Sequence, residues 1–187
     1  PSTELQGLAD ARLTPAQIFN RQIEQSMVAL GCYEIAAFSF VSPKYFDKIA
    51  LPADSKLRKP LVITNPLGED TSVMRTTALP SMLEILTRNY NFRNKEVKLY
   101  ELGRTYHLGG KDGLAIEKKY LTLGTYGAKV NFFTVKGLVE AIMKDLRAES
   151  VRFEACTDNP SYHPGRCAKV YAGDVELGVF GQIHPLV

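Results

Sequence analysis

The order in which two hydrophobic periods alternate along this chain most constrains its fold. Residues 97–108 and 119–126 read as strands joined by a Gly-rich turn at Gly109, Gly110 and Gly113. The end of the chain is all strand, over 151–156, 168–171 and 175–183, with Ala172-Gly173-Asp174 as the hairpin turn between the last two. Helical stripes stand before and between these runs. Strands in runs with helices grouped between them predict an α+β fold with a mainly antiparallel sheet, here of about six strands backed by three helices. Two consecutive strands joined by a short turn cannot run parallel, which argues against a doubly wound α/β sheet.

The helices announce themselves by their ends. Thr14 before Pro15 is an N-cap, with Pro15 suited to the first helical position and Gln17 completing a capping box. The helix is predicted over 15–30, with Phe19, Ile23, Met27 and Leu30 on one stripe and Gly31 as the C-terminal stop. A second helix over 79–91 repeats Leu79, Met82, Leu83, Leu86 and Tyr90 at spacings of three and four. A third, over 134–147, turns Val135, Leu138, Val139, Ile142, Met143 and Leu146 inward. Gly137 inside it costs about 1 kcal/mol relative to Ala, so close packing against the sheet is expected there. Between the first two helices, strands are predicted over 33–40 and 61–64, a short helical turn after Ser42-Pro43, and a turn at Leu67-Gly68-Glu69-Asp70.

At 187 residues, 45% of them hydrophobic and 23% charged, the chain reads as one globular domain. Residues 1–13 read as a linker from an upstream domain, and the sequence as a piece of a longer polypeptide whose targeting signals lie outside it. It holds no apolar run of about 18 residues, so no membrane-spanning helix is expected, and no secretory signal is visible. Cys32, Cys156 and Cys167 lack any Cys-x-x-Cys spacing, which predicts reduced thiols in the cytoplasm and no zinc site. His107, His163 and His184 have no carboxylate at ligand spacing, so no metal is expected. His163 and His184 both precede proline and are held extended, which predicts turn roles for His163-Pro164-Gly165. Arg166 faces a neighbouring subunit or solvent. A net charge of +3 does not by itself argue for nucleic acid, although Lys56, Arg58 and Lys59, and Arg88, Arg93, Lys95 and Lys98, form local basic clusters.

The chemistry-bearing stretch is Tyr100-Glu101-Leu102-Gly103-Arg104-Thr105-Tyr106-His107-Leu108-Gly109. It resembles the strand motif of class II aminoacyl-tRNA synthetases, Phe-Glu-Ile-Gly-Arg-x-Phe-Arg-x-Glu. The framework positions Glu101, Gly103, Arg104 and Tyr106 are kept. The positions of the Arg and Glu that handle ATP and the activated amino acid hold His107 and Gly109. Gly31-Cys32-Tyr33-Glu34-Ile35 resembles the end of the first class II motif, with Phe38 where those enzymes carry an interface proline. The closer resemblance is to the β-subunit family of bacterial phenylalanyl-tRNA synthetases. It rests on Glu34-Ile35-Ala36-Ala37-Phe38-Ser39-Phe40, Asn65-Pro66-Leu67-Gly68 with Met74-Arg75-Thr76, and Tyr100-Glu101-Leu102-Gly103-Arg104. It continues through Phe132-Phe133-Thr134-Val135-Lys136-Gly137, His163-Pro164-Gly165-Arg166 and the run 178–185, all in the family's order over 14–187.

That resemblance implies a non-catalytic class II-like core module supporting a catalytic α subunit in an α2β2 heterotetramer. The assembly attaches phenylalanine to tRNA(Phe) with ATP and magnesium. No cofactor is expected in this module itself, because a histidine is mostly neutral at its ordinary pKa of about 6.5 and lacks the guanidinium fork that adenylation needs. Arg75 and Arg104 are expected to pair with Glu101 or Glu34 and pin strands, since no Gly-x-x-x-x-Gly-Lys cradle accompanies them. By resemblance, the helix carrying Phe19, Ile23 and Met27 forms a subunit interface. The rival reading is a stand-alone ligand-binding or regulatory protein that reused the fold. Direct tRNA contact by the basic clusters is a supplement to the first reading.

Overall fold

A computed structural model describes residues 12–187. The linker expected over 1–13 lies outside the described residues except for its last two positions. Helix α1 spans Pro15–Ala29; Thr14 accepts from the Gln17 backbone, and the Gln17 side chain answers it in a full capping box. Gly31 follows at φ +76°, a backbone region that costs a side chain about 1 kcal/mol or more and that glycine enters freely.

The strand expected over 33–40 is two short strands instead. Strand β1, Tyr33–Glu34, runs parallel to a later strand, and β2, Phe40–Val41, pairs antiparallel with β3, Val73–Met74. The stretch between β1 and β2 spends its hydrogen bonds elsewhere: Ile35 N–H on the Tyr100 carbonyl, Ala37 N–H on the Glu101 side chain. The strand expected over 61–64 reduces to a single bridge between Val62 and Val73. Helix α2, Tyr45–Lys48, is the short turn after Ser42-Pro43. Helix α3 is Leu79–Asn91, as the periodicity predicted.

Strands β4, Val97–His107, and β5, Ile116–Tyr126, form a long antiparallel hairpin, with Tyr100 opposite Leu123 and Leu102 opposite Leu121. Helix α4 is Phe132–Asp145, two residues earlier than expected because Asn131 caps it and Thr134 returns the bond. Strands β6, Val151–Ala155, β7, Tyr162–Ala172, and β8, Val175–Ile183, complete the chain. The fold is α+β, as expected, but the strands do not make one sheet. They form three: β1-β4-β5, β2-β3 and β6-β7-β8, with every pairing antiparallel except β1 with β4.

Two apolar clusters unite these pieces. Tyr100, Leu102, Leu121 and Leu123 on one face of the hairpin meet Ile23 and Met27 of α1 and Ile142 and Met143 of α4. One turn earlier, Val135 and Val139 of α4 pack on Ala168, Val170 and Phe180 of the other sheet. Helix α4 thus lies under both sheets and joins them. On the opposite face Gly124 admits α3: a Cβ there would stand 2.6 Å from the Met82 sulfur. Ser26 of α1 donates to the Asp145 carboxylate, and Gln22 to the Asp145 carbonyl at 2.9 Å, fixing α1 against α4.

Candidate functional site

The stretch that resembles the class II motif lies on β4, where Glu101, Gly103 and Thr105 alternate onto the face opposite Tyr100 and Leu102. Beneath this face sits Arg75, delivered by the segment between β3 and α3. Its guanidinium makes two parallel bonds to the Glu101 carboxylate, each 2.9 Å, and a third, from Nε, to the Arg104 carbonyl at 2.8 Å. Both side chains are nearly solvent-free, at 3% and 6% exposure. Glu101 accepts further from Ala37 N–H at 3.2 Å. The Arg75 backbone is equally occupied: its N–H reaches the Ser39 carbonyl and its carbonyl takes the Tyr106 N–H, both at 2.9 Å. One buried ion pair therefore ties three segments of chain together.

Gly103 is part of this arrangement. A Cβ at that position would fall 2.3 Å from Arg75 Nη2 and 2.8 Å from the Glu101 carboxyl carbon. The space a side chain needs is already taken by the ion pair, so glycine is required for a steric rather than a torsional reason. Arg104 points the other way, where it pairs at 3.0 Å with Glu117 on β5, both exposed. That contact is worth at most about 1 kcal/mol.

His107, in the working-arginine position, bonds Thr105 Oγ1 through Nε2 at 2.9 Å. Burial, first, and then the neighbouring Lys118 push its pKa below the ordinary histidine value. Neutral imidazole cannot balance phosphate charge in the way an arginine does. Gly109 takes φ +99° in the turn beyond β4 and offers no side chain at all. Glu34 stands exposed on β1, and the pKa of the buried Tyr100 phenol is raised by burial first and then by the charges of Glu34 and Glu24. Arg75 is thus brought together with Glu101, and Glu34 is not part of that pair.

Other expected positions fall elsewhere. His163, Pro164, Gly165 and Arg166 do not form a turn between strands: they lie within β7, at a break in register between Tyr162 and Cys167. The extended conformation that proline imposes on His163 suits a strand, and the irregular stretch also tolerates the missing proline N–H. Gly165 N–H donates to His163 Nδ1 at 3.1 Å, and Arg166 donates to Gln182 of β8 at 2.6 Å. Gly137 meets no close neighbour; it is exposed on α4, so no tight packing requires it. Ile23 and Met27 face this chain's own core, Met27 at 0% exposure, whereas Phe19 is half exposed toward the start of α1. Ile18 and Val28, with Arg21 and Gln25 between them, cover the outward face of that helix. Arg58 of the first basic cluster is committed to Asp47 at 2.8 Å and to the Leu51 carbonyl, while Lys56, Lys59, Arg88, Arg93 and Lys95 are exposed.

Sequence reasoning missed Thr105, Ala37 and Ser39 as partners of this site. No local pattern marks them, since their contacts are set by which strands meet. Asn131 was also missed as the α4 cap, although Asn131-Phe132-Phe133-Thr134 has a capping-box spacing.

Comparison with known proteins completes the description. The family model for the phenylalanyl tRNA synthetase beta chain CLM domain matches residues 1–187. The phenylalanine–tRNA ligase beta subunit of Clostridium acetobutylicum is 42% identical over 160 residues, covering 85% of this chain and 20% of that one. The beta subunit of Carboxydothermus hydrogenoformans is 34% identical over 196 residues, covering 100% of this chain and 25% of that one. This chain thus spans only a fifth to a quarter of the length of these relatives. Among solved structures, a Desulfitobacterium hafniense pyrrolysyl tRNA synthetase superposes with a TM-score of 0.65 at 12% identity, over 87% of this chain and 56% of that one, a likeness of fold. The matches decide against a stand-alone ligand-binding or regulatory protein. The chain belongs to the family of phenylalanyl tRNA synthetase beta chain CLM domains.

Proposed function

We propose that this chain is a structural, class II-like module of a phenylalanine–tRNA ligase beta subunit, and that it supports an α subunit which attaches phenylalanine to tRNA(Phe). The observation that carries this reading is the use made of Arg75. A guanidinium locked on a buried carboxylate has no charge left for a phosphate, and the neighbouring His107 is kept neutral. The face that resembles a nucleotide site is spent on holding strands together. ATP and magnesium act in the holoenzyme, at sites outside this module. The assembly is an α2β2 heterotetramer of the cytoplasm, with tRNA contacts made by the holoenzyme and supplemented by the exposed lysines and arginines at 56, 59, 88, 93 and 95.

The interface with α uses the outward side of α1 and the apolar residues beside it, since Met27 and Ile23 are consumed by the core. Ile18, Phe19 and Val28 on the helix, with Tyr33 and Phe38 just after it, are between 50% and 86% exposed. Large apolar side chains left exposed in this number along one helix and the residues after it point to an association surface. Co-expression with the α subunit tests the assignment: the two chains should co-purify, and ATP–pyrophosphate exchange should require α. Phenylalanine-dependent exchange by this chain without α, lost on replacing His107, refutes the structural reading.

A further inference from the structure

We propose that Cys156 and Cys167 form a dithiol modification site, which a small-molecule disulfide oxidises to a cross-strand disulfide tying β6 to β7. Ala155 lies opposite Ala168, so Cys156, the next residue, lies opposite Cys167, and its N–H donates to the Cys167 carbonyl at 3.0 Å. Bonded opposite residues of an antiparallel pair have Cα atoms about 5.5 Å apart and side chains on the same face. That spacing lies inside the range of about 4.4–6.8 Å that a disulfide spans. Cys32, the third cysteine, is packed in the α1 cluster and faces no other thiol there.

The two sulfurs have different roles. The Cys156 thiol donates to Asp158 Oδ1 at 3.2 Å, and that bond, first, holds the Asp158 carboxyl below its usual range. Burial, first, and then the Cys156 thiol beside it push the Cys167 thiol up to about 12. Cys156, beside the edge strand β6, is the sulfur an oxidant reaches first, and Cys167, on the central strand β7, is the resolving one. Both are buried, at 3% and 5% exposure, but β6 is an edge strand and Cys156 is the first residue after it. Fraying of that end admits the oxidant.

The step balances with a small disulfide such as oxidised glutathione. Cys156 gives its proton to water and attacks one sulfur; the old S–S bond breaks, and the departing thiolate takes up a proton from water. Cys167 then attacks Cys156, the mixed disulfide breaks, and the second small thiol leaves with the proton that Cys167 gives up. One disulfide is reduced to two thiols while the two cysteines lose two electrons.

The test uses the full-length beta subunit carrying this module. It is incubated folded with oxidised glutathione, its remaining thiols are blocked with N-ethylmaleimide in denaturant, and it is digested by trypsin without reduction. Cleavage after Arg152, Arg166 and Lys169 places Cys156 in peptide 153–166 and Cys167 in peptide 167–169. The expected product is these two peptides joined, separable by reductant, with Cys32 carrying maleimide. Asp158→Asn removes a negative charge that holds the proton on Cys156, so the joining should be at least as fast as in the parent. Both peptides carrying maleimide after prolonged oxidation, or each carrying glutathione without a link, overturns the proposal.

Discussion

Replacing Glu101 by Ala should be among the most damaging single changes this chain can suffer. The substitution removes both 2.9 Å bonds to Arg75 and leaves a guanidinium with 3% exposure facing no anion. Breaking one side of a buried ion pair costs about 3–5 kcal/mol, chiefly because the remaining charge is stranded. Ala37 N–H loses its acceptor as well. For a chain of this size each kcal/mol moves the melting temperature by roughly 2–4 °C, so a fall of roughly 6–20 °C is expected in thermal unfolding followed by circular dichroism. The reasoning also predicts the double variant. With Arg75→Met and Glu101→Leu together no charge is stranded, and most of the loss should return, since apolar replacements of buried pairs are often neutral or stabilising. A coupling near zero between the two sites, or a Glu101→Ala variant melting within about 1 °C of the parent, would refute the view that this pair holds the strands.

Three further outcomes follow from geometry already described. Gly137→Ala should stabilise by about 0.5–1 kcal/mol, because the site is exposed, helical and open, and urea midpoints would register the gain. Met27→Lys should unfold the chain, since it places an unpaired charge at a position of 0% exposure, whereas Val28→Lys, at a 63% exposed position, should fold normally and weaken co-purification with α. A Val28→Lys chain that binds α undiminished argues against the outward face of α1 as the interface. His107 has a depressed pKa, so the unfolded state takes up the proton first as pH falls. Its contribution is complete above about pH 6.5 and is lost as pH drops below that value through the folded-state pKa. Melts from pH 7.5 to 5 should show a shallower decline in His107→Gln.

What could be read from the sequence depended on whether the deciding contact was local. Thr14 and Gln17 are three residues apart, and the three-and-four spacing of α3 lies within its own thirteen residues, so both helices were legible, although only Met82 of that stripe is fully buried and Tyr90 is exposed. The hairpin turn at Gly173 and the long strands β4 and β5 were legible for the same reason. The failures involve partners far away in sequence. Residues 35–39 have strand-like composition, yet Ala37 bonds a side chain 64 positions later instead of a neighbouring strand. The sheet was expected whole because nothing in the sequence of β5 or β8 says which strand lies beside it. Gly137 misled because a helical glycine suggests a close approach, and only the coordinates show open space. For the site, the sequence has histidine at 107 where the motif it resembles carries its working arginine, and a pairing of Arg75 with Glu101 or Glu34 was open from sequence. The choice of Glu101, and the steric need for Gly103, required the register of β4 over Arg75.

Strands β5 and β8 each end their sheet, and α4 holds both sheets on one support. Residues 125–127 of one and 181–183 of the other line a single cleft, together with Tyr90, Phe132 and Phe133. Unpaired backbone along a strand edge is a template for any extended chain. Handled in isolation at high concentration, the module is therefore at risk of edge-to-edge self-association, and its solution behaviour is set by how those two edges are covered as much as by the stability of its core. A lysine placed on the outer edge of β5 would act as a solubility tag built into the fold.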